Sequence, residues 1–279
     1  MPARLSLAPL GFAALLASSA CIDIVGADFN KYVEREEKSF SVTGKPEVAL
    51  FTFDGSIEIR PWDKPEVHVV VEKRGVDKAA TDGIEVQATQ QGNRVTVEVK
   101  EPRGKVNIHF GPGRSAKLIV SLPASADVQA RSGDGSIDVE RVAGRVELRS
   151  GDGSIRAREL SGDVNVQTGD GSIVVDGKFA SLRARSGDGS VKVHAIAGSS
   201  PSSDWEIVTG DGSVTLEIPD GFNSELDAHT GDGGIHTNDV TVSNVTGNLG
   251  RHNLRGRLGS GGPLVRVRTG DGSITLRRS

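Results

Sequence analysis

The sequence predicts an all-β protein, a parallel β-solenoid (β-helix) of coils roughly eighteen residues long. Three observations point there. Ser132, Ser150, Thr168 and Ser186 each open the motif Gly-Asp-Gly-Ser followed by Ile or Val, and successive copies are eighteen residues apart. Between copies the apolar residues fall into columns: Val128, Val146, Val164 and Leu182, then Ala130, Leu148, Val166 and Ala184, then Ile137, Ile155, Ile173 and Val191. These positions alternate with Arg, Glu, Gln, Asp or Lys, the period-two pattern of strands with one buried face. Composition agrees, with 36 glycines and only 4% aromatic residues, as tight turns and thin cores require.

From the amino terminus, Arg4 precedes an apolar run from Leu5 to Leu16 and then Ala17-Ser18-Ser19-Ala20. This is a charged n-region, a short h-region and a small-residue cleavage site, too short for a spanning helix, so residues 1–20 read as a signal peptide. Cys21 is the single cysteine and cannot form an internal disulfide. Its setting resembles the lipobox of bacterial lipoproteins, which implies a diacylated thiol and a membrane partner. Ser18 stands where that motif has Leu, and ordinary cleavage after Ala20 is the alternative. The absence of Asp after Cys21 resembles lipoproteins sent to the outer membrane, so the expected location is the cell envelope. Residues 21–45 are mixed polar without period and read as a tether, leaving 46–279 as one repeat domain.

The repeat domain opens on a degenerate copy, Phe53-Asp54-Gly55-Ser56-Ile57, in which Phe53 replaces the first glycine. Alternation then continues without the motif in Val67-Val69-Val71, Val95-Val97-Val99, Val106-Ile108-Phe110 and Leu118-Val120-Leu122, consistent with wider coils or inserted hairpins. Beyond the regular copies the spacing widens to Thr209 and Thr230, the extra residues being chiefly Ser199-Ser200-Pro201-Ser202-Ser203. The interval from Thr230 to Thr269 fits two coils, one of which has lost its motif after Asn248. Asp-Gly is also a preferred hairpin turn, so an antiparallel meander is the competing architecture. Equal repeat lengths and a hydroxyl at each motif start, able to form a Ser/Thr ladder, favour corners between stacked parallel strands.

The columns, the Gly-Asp-Gly-Ser-Ile copies, the degenerate start and the segment Asp204-Trp205-Glu206-Ile207-Val208-Thr209-Gly210-Asp211-Gly212 resemble a bacterial adhesin-type family with β-strand repeats. The resemblance spans roughly residues 40–279 and implies a β-solenoid envelope protein without catalytic residues to carry over.

No catalytic constellation stands out, and no cofactor is expected. Asp134, Asp152, Asp170, Asp188, Asp211, Asp232 and Asp271 recur once per motif. Their use as turn residues follows from tolerance of left-handed geometry and bonding to their own backbone, with glycine taking positive φ. A row of stacked carboxylates could also hold divalent cations weakly. It lacks the spacing of calcium-binding β-rolls and the convergent oxygens of a tight calcium site. Six histidines, at 68, 109, 194, 229, 236 and 252, are too dispersed for a short metal motif. With 33 basic against 37 acidic side chains and a net charge of −4, nucleic acid is not an expected partner. Seven arginines against Asp271 make residues 249–279 basic, a solvated face or a contact for anionic lipid or polysaccharide.

The expectation is a non-enzymatic lipoprotein presenting a repetitive surface for adhesion or scaffolding, with a surface glycan or envelope protein as partner. A regulatory or stress-sensing component acting through a protein partner is the alternative. A carbohydrate-active enzyme would need two close carboxylates in a groove.

Overall fold

The computed structural model describes residues 32–101, 114–247 and 251–279. The signal segment, Cys21, Val106-Ile108-Phe110 and His109 lie outside the described residues. Alternating apolar residues place most of the described chain in strands. β1 (Tyr32–Ser41), β2 (Glu47–Thr52), β3 (Ile57–Trp62) and β4 (Glu66–Gly75) lead to a short helix α1 (Lys78–Asp82). β5 (Glu85–Gln91), β6 (Arg94–Lys100) and β7 (Ser115–Pro123) follow. The regular repeats supply β8 (Asp127–Ser132), β9 (Ile137–Glu140), β10 (Ala143–Arg149), β11 (Ile155–Gln167), β12 (Ile173–Arg185) and β13 (Val191–Ala195). The remainder is β14 (Trp205–Val208), β15 (Val214–Ile218), β16 (Ser224–Thr230), β17 (Ile235–Asn238), β18 (Ser243–Gly247), β19 (Asn253–Leu258), β20 (Leu264–Thr269) and β21 (Ile274–Arg278).

Hydrogen bonding joins these strands into one open, all-β sheet that folds into two columns. The first runs β6-β2-β8-β10-β11-β12-β14-β20-β16, every neighbour parallel. The second runs β7-β3-β9-β11-β12-β13-β15-β21-β17, again parallel throughout. Val146 lies opposite both Val128 and Val164, and Ile155 opposite both Ile137 and Ile173, so the sequence columns are the hydrogen-bonded register. Each Gly-Asp-Gly-Ser segment carries the chain between columns: β8 bonds β2 and β10, whereas β9 bonds β3 and β11. The segments are therefore corners, and the meander is excluded for these repeats.

Inward side chains of both columns merge into one hydrophobic cluster. Where the coil widens after Ala195, the added interior is filled by Trp205, packed edge-on to Phe179 at 5.9 Å and tilted against Phe222 at 5.2 Å. Larger rings in the core accompany the longer coil, as close packing demands. At roughly 4.8 Å per strand, nine parallel strands rise about 38 Å.

Three expectations need correction. Spatial order departs from chain order at both ends: the β2-β3 rung sits between β6-β7 and β8-β9, and the final β20-β21 rung is inserted between β14-β15 and β16-β17. The stretch expected to be a coil without its motif is an antiparallel cap, β19 on β16 and β18 on β19. Parallel growth has to end somewhere, and reversing direction leaves an edge that does not offer the next rung its register.

The tether is also shorter than expected. Tyr32–Ser41 is β1, antiparallel to β4 along its full length, with Phe40 and Val42 buried. Its apolar period is missing because ion pairs replace it: Arg35 bonds Glu72 at 2.7 Å, and Lys73 reaches Glu36 at 3.1 Å. At the same end β4 caps β7 and β5 caps β6, both antiparallel, so residues 65–123 contain hairpins as well as parallel rungs.

Deleting residues 150–167 removes one register period and should leave a shorter protein with a single cooperative melt. Deleting residues 150–158 shifts every later column and should abolish that melt. Equal tolerance of the two deletions in circular dichroism would contradict the register described above.

Candidate functional site

The motif corner is the most repeated polar feature of the molecule, and its chemistry is internal. Ser132, Ser150, Thr168, Ser186, Thr209, Thr230 and Thr269 are all buried. Each hydroxyl donates to the carbonyl of the second motif glycine in a neighbouring rung: Ser132 to Gly55 at 2.8 Å, Ser150 to Gly135 at 2.9 Å, Thr168 to Gly153 at 2.8 Å. Ser186, Thr209, Thr269 and Thr230 repeat it on Gly171, Gly189, Gly212 and Gly272. At Ser132, Ser150, Ser186 and Thr230 the same oxygen accepts from its own second glycine, as from Gly153 N at 3.1 Å. The hydroxyls thus bond backbone and not one another, so the expected ladder is a hydroxyl-to-carbonyl one.

The motif glycines answer to a different constraint from the one expected. From Gly133 onward none has positive φ, and neither do the motif aspartates. A Cβ on any of these glycines would come within 3.0 Å of a carbonyl oxygen in the adjoining rung. Along the stack Gly169 N bonds Gly151 O, Gly187 N bonds Gly169 O and Gly210 N bonds Gly187 O, each at 2.5 Å. Glycine is required because backbones touch between rungs. Among the motif glycines positive φ enters only at Gly55, in the degenerate first copy, at φ 122°.

Asp134, Asp152, Asp170, Asp188, Asp211, Asp232 and Asp271 are brought into one row by this stacking, and all seven side chains are exposed. No hydrogen bond to their own backbone accompanies them among the described residues, so self-bonding does not account for their use. Among the described residues, no three His, Cys, Asp or Glu side chains converge as a metal-binding group. The structure separates the histidines. His194 pairs with Asp176 at 2.5 Å, His229 bonds Asn253 at 2.7 Å, and His68 bonds Ser39 at 3.0 Å.

Outside the corners, charged side chains form ladders across the outer faces. Burial works to raise the pKa of Glu206, yet bonds from Arg185 at 2.7 Å and Arg183 at 3.1 Å hold it below the usual carboxylate range. Glu217, between Arg277 and Lys192, and Asp227, between Arg268 and Arg255, are lowered in the same way against the same opposing burial. Their folded-state contribution is present above the ordinary carboxylate pKa and is lost as pH falls through the lowered value. These pairs revise the basic carboxyl-terminal tip. Insertion of β20-β21 beside acidic rungs lets Arg268, Arg277 and Arg278 pair with Asp227, Glu217 and Asp220, and the antiparallel β19 cap sets Arg255 against Asp227 and Arg257 against Glu225.

Two expectations follow from the corner. Ser150→Ala strands a buried donor and acceptor, and Gly153→Ala drives a Cβ into the Gly135 backbone, so each should cost about 1–3 kcal/mol in denaturant titration. Exposed Asp152→Ala should stay within about 0.5 kcal/mol, and a larger loss there would give the aspartates a structural role. Thermal melts with calcium and with chelator should nearly coincide. A large calcium-dependent rise, abolished when Asp134, Asp152, Asp170 and Asp188 are changed to Asn, would make the row a metal site.

A search of curated proteins gave no significant match. Among solved structures the chain is similar to a "putative cell adhesion protein" from Clostridium sporogenes, at 13% identity and a TM-score of 0.39, covering 88% of this chain and 100% of that one. It is also similar to a "putative adhesin" from Bacteroides fragilis, at 11% identity and TM-score 0.41, covering 88% and 97%. A third is a "putative lipid binding protein" from Parabacteroides distasonis, at 13% identity and TM-score 0.38, covering 90% and 98%. The Toastrack DUF4097 family model matches residues 47–202 and 164–277, and the chain belongs to that family.

Proposed function

We propose that the chain is an exported, non-enzymatic envelope lipoprotein, anchored through Cys21, whose parallel β-solenoid presents a repetitive surface for adhesion or scaffolding. The observation that carries this reading is a division of labour within each rung. Inward residues stay apolar and the corners keep their glycines and hydroxyl from rung to rung, whereas the outward residues at the same heights change in charge and polarity. At one outward position of the first column the chain places Gln129, Glu147, Asn165, Arg183 and Glu206 in succession. Such a scaffold holds its geometry with backbone and leaves its faces chemically open.

The amino-terminal strand favours the same reading. β1 belongs to the antiparallel cap at the β6-β7 end, and the ten residues Ile22–Lys31 separate Cys21 from Tyr32, so a lipid on Cys21 would turn that end toward the membrane. The β18-β19 cap would then stand at the far end of the stack. Among the described residues no helix is long and apolar enough to cross a membrane. Acid pairs on the outer face are electrostatically occupied: Asp138 and Glu140 are both held by Arg60, at 2.7 and 3.1 Å, and by Arg158, at 3.3 and 3.0 Å. Carboxylates bridged in this way are poor candidates for the acid and base of a glycosidase.

Cys21→Ser should move the protein from the membrane fraction to the soluble fraction with an unchanged circular dichroism spectrum, because acylation acts independently of the β body. Tight membrane association of the variant would overturn the lipid anchor.

A further inference from the structure

The outer face of the first column carries a trough that the corner chemistry does not use. One part, of about 510 Å³, lies over β6, β2, β8 and β10, and a second, of about 890 Å³, continues over β10, β11 and β12 to Asp204. Both are lined by Arg145 and Glu147, so the two parts adjoin along the stack. Together they cross six rungs, roughly 24 Å at the usual strand spacing. The far end is bounded by Ser202 and Ser203 of the loop inserted before β14. That loop is pinned where it crosses the preceding rung, Ser202 N donating to Ala180 O at 2.9 Å and Ser200 N to Phe179 O at 3.3 Å.

Toward its ends the trough is neutralised internally. Arg94 pairs with Glu47, Lys45 bonds Asp127 at 2.6 Å, and Arg183 reaches Glu206 at 3.1 Å. The middle differs. Side chains of Arg145, Asp163, Asn165 and Ser181 line the trough on three successive rungs, and none makes a hydrogen bond or ion pair with another described side chain or backbone group. A guanidinium, a carboxylate, a carboxamide and a hydroxyl are thus held on rigid strands with their hydrogen-bonding capacity unspent.

We propose that this trough binds an extended, uncharged polysaccharide, an inference that rests on the surface-display reading and gives it a ligand. Planar bidentate groups match vicinal sugar hydroxyls, and a ligand that repeats along its length suits a surface that repeats along its axis. Phe51, half-buried in the lining at the β2 end with the Arg131 guanidinium 5.9 Å from its ring centre, adds apolar surface there. The competing polymers fit less well. Every strand beneath the trough is paired on both sides, which leaves no backbone edge for an extended peptide to join. Acidic side chains outnumber basic ones in the lining, which disfavours a polyanion such as nucleic acid or an anionic glycan.

The test is titration of the full chain with cellohexaose, with N-acetylchitohexaose and with an alginate hexamer. At least one neutral hexasaccharide should bind, more tightly than its own trisaccharide and than the alginate hexamer. Asp163→Ala combined with Asn165→Ala should weaken that binding by about tenfold or more without moving the melting temperature, since both side chains sit on an outer face. Arg156→Ala, on the outer face of the other column, should leave it unchanged. No binding of either neutral hexasaccharide, tighter binding of alginate, or indifference to the double substitution would overturn the trough as a glycan site. Attachment to isolated envelope that survives the double substitution would overturn the site while leaving surface display standing. Absence of attachment by the unsubstituted chain, with hexasaccharide binding intact, would count against surface display and uphold the site.

Discussion

The structure depends on how closely one rung's corner can approach the next. Strands stack at a spacing set by backbone hydrogen bonds, and a corner between strands has to keep that spacing while the chain changes direction. Corners with side chains would splay apart and open the interior to water. In the Gly-Asp-Gly-Ser segments the two glycines put bare backbone against bare backbone, and the carbonyl of one rung takes the place a Cβ would occupy. The hydroxyl that opens each motif then satisfies a carbonyl next door, and at Ser132, Ser150, Ser186 and Thr230 it also takes an N–H of its own corner. Buried corner groups so paired avoid the penalty of unmet hydrogen bonds.

That arrangement explains why the protein can do without large side chains over much of its length. Valine, isoleucine, leucine and alanine fill a thin interior between two columns, and the corners seal its edge. Aromatic packing appears where Trp205, Phe179 and Phe222 fill the wider coil behind the Ser199–Ser203 insertion. The ends are closed by reversal of strand direction. At one end β1, β4 and β5 run antiparallel to their neighbours, and at the other β18 and β19 do so. Both closures are reached by interleaving, an early rung lying between later ones and the last rung lying between earlier ones.

Electrostatics on the outer faces is a consequence of that order. Arginines from the carboxyl-terminal segment read as a basic tip in sequence, yet β20-β21 enters the stack between rungs carrying Glu217 and Asp227. The charges cancel locally, and the carboxylates are held ionised against the opposing effect of burial. On the first column the cancellation lapses around Asp163 and Asn165, and there the surface retains unused hydrogen-bonding groups.

The sequence by itself determined strand content, the inward columns, the corner positions and the register of the regular repeats. Those properties are local or strictly periodic: alternation marks a buried face, and an eighteen-residue period aligns equivalent residues whichever rung lies alongside. Only the tertiary structure decided which rung lies beside which. Equivalent columns make every rung an acceptable neighbour for every other, so Val265 fits against Trp205 as well as against Leu226. Alternation also carries no strand direction, which is why β19, with Leu254 and Leu258 inward, reads as a coil and folds as a cap. β1 was hidden for the opposite reason, since its partners are ionic and leave no apolar period. The glycines were legible as corners but not in their cause, because the atom that excludes a side chain belongs to a different rung. The unpaired groups of the trough emerge the same way, from which charges the stacking brings together and which it leaves apart.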